Sequence, residues 1–497
     1  MNELLDALNH ELNYTYTENG GITHKTTHSA LLDMFGMGGS MRNRSDSDVI
    51  EMFREAFEEN PEYALKCLFY LRNCRGIGQG ERRFFRVAIH WLAKKDHDMV
   101  GRNIPFIVQM GRWDDLYALV DTPVETEAFN FIYQQLKLDL QCKTPSLCAK
   151  WLKSENASSE ETKKLAIRTR NALRLNSKEY RIMLSLLRKR INIVERLMSE
   201  NRWDEIEFDK IPSKAGLKYR NVFAHNDYTR ERYAEFMANK ETKVNASVLN
   251  PVDIAQQIFN NYHPDQASRD AWQKYWDALP DYYHGREERG IAVVDVSGSM
   301  SGTPMNAAVS MGAYIAERGK GPFKDHFITF SGTPELVKFS GVDIYDKFYR
   351  ARSANWNMNT NIEAVFDLLL NTAKRNHVPQ SEMPETIYIF SDMEFDQCIT
   401  TNHLYSKSSL FSETINKGAI DTVIEAQVRK WNNAGYKAPR VIFWNLDARQ
   451  NNIPALNGRF SYISGFSMSA MEAVLSGKDG YTLMMEVLNN PIFKDIK

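Results

Sequence analysis

The stretch Ile291-Ala292-Val293-Val294-Asp295-Val296-Ser297-Gly298-Ser299-Met300 decides how this chain is read. An apolar run of strand character ends in an acid. Two hydroxyls follow at steps of two, and Gly298 lets the backbone turn between them. One carboxylate and two hydroxyls at that spacing suit a hard divalent cation that keeps some of its waters.

The surrounding pattern says where such a site lies. From about Gly290 onward, apolar runs alternate with helical stretches. After Ile291–Val296, Thr303-Pro304 opens a helix whose face is Ala307, Ala308, Met311 and Ile315. There follow His326–Phe330, a helix from Asn361, the run Thr386–Phe390, a helix near Thr422–Trp431, and the run Arg440–Trp444. That alternation predicts a mostly parallel sheet covered on both faces. In such sheets ligands sit beyond the carboxyl ends of the strands. Asp295 and Asp392 both fall at the end of an apolar run.

With Thr360 in the loop Asn357-Met358-Asn359-Thr360-Asn361, the set Asp295, Ser297, Ser299, Thr360 and Asp392 resembles the metal-ion-dependent adhesion site (MIDAS) of von Willebrand factor A domains. The resemblance implies a Rossmann-like fold that binds Mg²⁺ (or Mn²⁺). It implies that Asp295, the two serines and Thr360 surround the ion directly or through water, and that Asp392 acts through water. It also implies one position left open for an acidic group on a protein partner. The charge logic agrees, because few carboxylates leave the cation under-neutralised and an incoming anion restores the balance. Plainer roles exist for single members. Thr360-Asn361-Ile362-Glu363 also reads as a capping box, and Glu394 and Asp396 as solvated loop acids. The stretch 394–418 reads as a long insert, either a lid beside the metal or a loop with a short helix.

Enzyme motifs are missing. An aspartyl-phosphate phosphatase wants Asp-x-Asp, and position 297 is Ser. The hydrolase elbow Gly-x-Ser-x-Gly is broken by Met300 in the middle of Gly298–Gly302. Gly76-Ile77-Gly78-Gln79-Gly80 follows no strand, so it is a poor phosphate-binding loop. No His-Glu-x-x-His occurs, and no catalytic residue is assigned.

Residues 28–285 have a different grammar. Val49, Met52, Phe53, Ala56 and Phe57 form a helical stripe. Asn60-Pro61 caps and opens the next helix, with Ala64, Leu65, Leu68 and Phe69 inside. A third helix after the glycine-rich break carries Phe84, Ala88, Trp91 and Leu92, and similar short helices recur to Tyr262. This suits an α-helical, repeat-like (HEAT-like) array without a strict period. The expected fold is therefore α + α/β. Residues 1–27 form an N-terminal tail, 28–285 the helical module, and 286–497 the metal-binding domain.

The segments Thr26–Phe35, Leu71–Arg82, Ile211–Ala215 and Lys218-Tyr219 resemble an uncharacterised family that joins a TROVE-like helical module to a von Willebrand A-like domain. That family is similar in layout to the Ro ribonucleoproteins. This resemblance implies RNA binding, single-stranded or structured, by the helical module. Basic clusters supply candidate contacts: Arg72, Arg75, Arg82, Arg83 and Arg86 around the glycine-rich break, and Lys214, Lys218 and Arg220 near the Ile-Pro-Ser loop. The aromatics Tyr219, Phe223 and Tyr228 could stack on bases. The plain alternative is that these cations are solvated or paired with acids. Trp113 reads as core.

Composition sets the outer limits. The chain has 497 residues, with 43% hydrophobic and 25% charged residues, as in ordinary globular protein. A net charge of −1 means that any nucleic-acid surface is a local patch. Five cysteines without CxxC spacing, an acidic start and no long apolar run predict reduced thiols, a cytoplasmic location and no membrane contact. The reading is an RNA-binding protein, not an enzyme. A protein-interaction scaffold using the metal site without RNA is the alternative, and metal-dependent phosphoester chemistry the weaker one.

Overall fold

The computed structural model describes residues 12–191, 193–330, 333–352, 361–396, 422–456 and 460–497. Thr360, Cys398 and the 397–418 part of the insert lie outside the described residues.

The chain begins with a small hairpin. β1 (Tyr14–Tyr16) pairs antiparallel with β2 (Ile22–His24), with Tyr16 opposite Ile22. These residues fall in the expected N-terminal tail, and they are ordered because the hairpin docks on the far end of the chain. Thr23 Oγ1 donates to the Ile453 carbonyl at 2.7 Å, and His24 forms a backbone bridge to Ile453.

Helices then follow one another from Ala30 to Asp277. Local sequence sets their ends. Ser45 and Asp48 form a reciprocal cap on the Asp46–Glu59 helix. Asn60 caps Pro61–Arg72, with proline in the first turn as its spacing predicts. Val49, Met52, Phe53 and Ala56 are buried, and Trp113 is in the core at 7% exposure.

The second half is a six-stranded sheet. β3 (Gly290–Asp295), β4 (His326–Phe330), β5 (Glu335–Lys338), β6 (Thr386–Ser391), β7 (Arg440–Asn445) and β8 (Phe460–Ser464) lie in the order β5-β4-β3-β6-β7-β8. All neighbours are parallel except the edge pair β4–β5. The chain leaves β3 toward β4 on one side and later returns to β6 on the other. The carboxyl ends of β3 and β6 therefore flank the point where strand order reverses, which in such sheets is the place for a ligand.

Helices cover the sheet, and the helical half attaches to it at both ends. The Ala30–Met37 helix lies on β8 so closely that a Cβ at Gly36 would fall 2.8 Å from Tyr462 Cβ. Gly39 N–H donates to Ser464 Oγ at 2.9 Å. At the other end, the Pro251–Phe259 helix packs on the Thr303–Arg318 helix that follows β3. The C-terminus returns to the array, where the Lys497 carbonyl accepts from Asn103 Nδ2. Among the described residues, no helix is long and apolar enough to cross a membrane.

One local expectation is corrected. The cap of the Ile362–Arg375 helix is Asn361, whose side chain accepts from Ala364 N–H at 3.0 Å. Asn reaches the third amide as well as Thr does, so the helix starts one residue later than the capping-box reading places it.

Candidate functional site

Asp295 ends β3 fully buried. The chain then turns tightly. Ser297 N–H donates to Asp295 Oδ1 at 2.9 Å, and a short 3₁₀ turn over Gly298–Met300 brings Ser299 Oγ to 2.9 Å from Ser297 Oγ. From the neighbouring strand, Ser391 Oγ donates to Asp295 Oδ2 at 2.6 Å. Asp392 follows, also buried. Its Oδ1 accepts from Glu394 N–H at 3.1 Å and its Oδ2 from Arg449 Nη2 at 2.8 Å. Met393 between them has φ of 66°, a left-handed conformation that costs a side-chain-bearing residue energy.

The site is short of positive charge. Burial, followed by the charge of Asp392, lifts the Asp295 carboxyl from its ordinary 3.8 to about 7. Glu394 is buried and accepts from Glu18 N–H and Asn452 Nδ2, so it is not the solvated loop acid expected; burial raises it to about 7 as well, and burial with Asp392 raises Asp447. A cation beside Asp295 and Asp392 relieves this strain, and the donors are hard oxygens: two carboxylates and two hydroxyls. The set therefore fits Mg²⁺ or Mn²⁺, which Asp295, Ser297 and Ser299 would hold with Asp392 in support. Among the described residues, no group of three or more His, Cys, Asp or Glu side chains is arranged for a metal, which separates this site from a zinc-like centre.

A second feature lies between the helical array and the α/β half. A cavity of about 1080 Å³ is lined by the glycine-rich break, the Ile-Pro-Ser loop, and Phe466 and Ser467 from beyond β8. Two stretches far apart in sequence thus meet on one wall. Gly78 permits the tight return of the break, since a Cβ there would lie 2.3 Å from the Tyr70 carbonyl. Nine Lys and Arg side chains line the cavity against five carboxylates, a local positive excess on a nearly neutral chain.

The candidate basic residues divide sharply. Arg72, Arg75, Arg82, Arg83 and Lys214 line the cavity, whereas Arg86, Lys218 and Arg220 do not. Arg72 is buried and paired with Asp115 at 2.6 Å, and Arg86 bonds Asp115 and Asp114 at 2.8 Å each. Arg83 pairs with Asp46, and Lys214 with Asp253 at 3.1 Å. Arg220 is buried over the Trp272 ring at 5.1 Å, and Lys218 is exposed beside Tyr219. Among the described residues, the Arg75 side chain bonds only the Gly111 carbonyl, at 3.0 Å, and the Arg82 side chain has no partner. Three contributors escape the sequence reading. Arg112 stacks on Trp151 at 4.6 Å, and Arg42 on Phe466 at 3.7 Å while paired with Glu81. At the metal set, Arg449 bridges Asp392 and Glu18. An Arg-Trp dipeptide at 112–113 was visible, but only folding shows that the arginine meets Trp151.

Comparison with known proteins places the chain. Residues 289–488 match the family model described as domain of unknown function (DUF7788). The chain is 29% identical over 536 aligned positions to "Uncharacterized protein L728" of Acanthamoeba polyphaga mimivirus, covering 97% of this chain and 89% of that protein. Among solved structures it is similar to the Deinococcus radiodurans RO (RSR) protein, with a TM-score of 0.39 and 13% identity over 93% of this chain and 99% of that one. Residues 17–137 and 139–279 match the model described as domain of unknown function (DUF2828), more than half of the sequence, and the chain belongs to that family.

Proposed function

We propose that this protein binds RNA, taking an unpaired segment into the basic cavity, and that its α/β half holds Mg²⁺ or Mn²⁺ to dock an anionic group of a protein partner. The observation that carries the reading is the cavity wall. The guanidinium groups of Arg75, Arg82 and Arg112 reach it without a carboxylate partner among the described residues, beside the Trp151 ring. Guanidinium groups bind phosphate in a fork, and an aromatic face accepts any base. The sequence resemblance to TROVE-like modules and von Willebrand A-like domains supports the same assignment.

At the metal set, Ser391 and the Ser297 amide orient Asp295, and the two serine hydroxyls converge in front of it. A bound cation would supply Lewis acidity for an oxyanion ligand. The chain's own residues fix the position of the donors. Among the described residues, the carboxylates of the set are engaged as hydrogen-bond acceptors, and the reading is of a binding protein.

The test is direct. Purified protein should carry nucleic acid, seen by ultraviolet absorbance and nuclease sensitivity, and its affinity for single-stranded RNA should fall steeply with salt. Protein free of nucleic acid that also fails to bind single-stranded RNA at moderate salt overturns the proposal. Retained capture of acidic peptides in that protein would then favour the scaffold reading. RNA turnover lost in Asp295→Ala would assign phosphoester chemistry instead.

A further inference from the structure

The hairpin at the start of the chain reaches the metal set. Its turn, Thr17-Glu18-Asn19-Gly20, lies along the loop after β6. Thr17 Oγ1 donates to the Phe395 carbonyl at 2.6 Å, and Asn19 Nδ2 to the Glu394 carbonyl at 2.6 Å. Glu18 N–H donates to Glu394 Oε2 at 2.7 Å, and Gly20 bridges Asp396. Over this contact stands Arg449, four residues past β7. One of its amino groups lies 2.8 Å from Asp392 Oδ2 and the other 2.7 Å from Glu18 Oε2. The remaining nitrogen, Nε, is buried without a hydrogen bond among the described residues. The guanidinium is shared between two acids instead of being locked to one. It is the only side-chain cation in contact with Asp392 among the described residues.

We propose that Arg449 is a resident counter-cation of the metal set, and that Glu18 is its landing place when a divalent ion takes over Asp392. The inference rests on the metal reading above. With Arg449 on Asp392, a positive charge stands beside the cation position and opposes metal entry. Glu18 lowers that opposition by drawing the guanidinium toward the hairpin. Metal binding at the carboxyl end of the sheet is thereby coupled to docking of the N-terminal hairpin, and by linkage each favours the other.

The test is calorimetric titration of the full-length chain with Mn²⁺ and Mg²⁺. Arg449→Gln is expected to bind metal about tenfold more tightly than wild type. Glu18→Gln, on an exposed turn, is expected to bind several-fold more weakly. In the Arg449→Gln background the Glu18→Gln effect should largely vanish, because the acid then has no cation to draw away. If Arg449→Gln does not fold, Arg449→Lys keeps the charge but cannot fork to both acids, and should fall between the two. Unchanged or weaker affinity in Arg449→Gln, or an equal Glu18→Gln effect in both backgrounds, overturns this inference and leaves the metal site standing. Absence of metal binding in wild type and Arg449→Gln alike overturns the site itself and the inference with it.

Discussion

At the carboxyl ends of β3 and β6, charge is sealed in. Asp295 and Asp392 are buried, and every carboxylate oxygen accepts a hydrogen bond from a defined donor. At the cavity, by contrast, Arg75 and Arg82 stand exposed on a segment that turns at glycines. The Arg72 and Arg86 pairs with Asp115 lie just behind and belong with the sealed kind. Buried charge is expensive, so it is kept only where partners hold it, and removing one partner is felt by the whole fold. Exposed charge costs little to keep and is free to meet a ligand. The contrast teaches that basic residues clustered in sequence do different work. Burial and partner, more than residue type, separate the cations that build the cavity from those that face into it.

Experiments can press on this contrast. Asp295→Ala should abolish Mg²⁺ and Mn²⁺ binding by calorimetry while helical circular dichroism is retained; unchanged metal affinity would refute the donor set. Arg72→Ala should lower the denaturation free energy by about 3–5 kcal/mol, since it leaves Asp115 buried with a broken pair. A loss below about 1 kcal/mol in a urea titration would show that this pair is not sealed in the sense argued.

Asp33, buried on the Ala30–Met37 helix, gives a pH-dependent case. Burial raises its carboxyl from 3.8 to about 6 against hydrogen bonds from Thr26 and Thr27. A raised acid favours the protonated folded form. Its contribution is complete below the unfolded value near 3.8 and is lost as pH rises through about 6. Between those limits about 2–3 kcal/mol is at stake. Thermal melts of wild type and Asp33→Asn should therefore shift relative to one another, in favour of the variant, as pH is raised across that window. A constant difference would place the carboxylate in a better-solvated site.

On the open side, the pair Arg82→Ala and Arg112→Ala should weaken single-stranded RNA binding about tenfold and flatten the salt dependence by one to two phosphate contacts, roughly. The smallest effect is expected in Arg82→Ala alone. Its stability should stay within about 0.5 kcal/mol of wild type, because no partner is lost.

Much of the architecture was legible because its signals are local. The run Ile291–Val296, the hydroxyl spacing after it, and the acid after Thr386–Phe390 all lie within short windows, and periodicity of 2 or 3.6 marks each element. β5 and β8 were not read. Glu335–Lys338 is a short edge strand with one buried side chain, and Phe460–Ser464 carries serines that obscure an otherwise buried run. The hairpin left a usable signal, Tyr14-Thr15-Tyr16 followed by Asn19-Gly20, which a tail assignment passes over. Arg449 left none. It lies 57 residues after Asp392 and 431 after Glu18, and only the pairing of β6 with β7 and the docking of the hairpin bring the three together. Likewise, nothing near Arg72 in sequence announces Asp115, so the sealed and open arginines of one segment look alike until the chain is folded.

The two attachments of the helical array have a mechanical consequence. One end rests on β8 through Gly36 and Gly39, and the other on the helix after β3, so the sheet acts as the clasp of a bracelet. Movement of one attachment is then felt at the other through the sheet that joins them, rather than being absorbed by the many helix-to-helix joints along the way. Opening the bracelet at either end exposes the apolar faces of both halves together, which makes them a single cooperative unit.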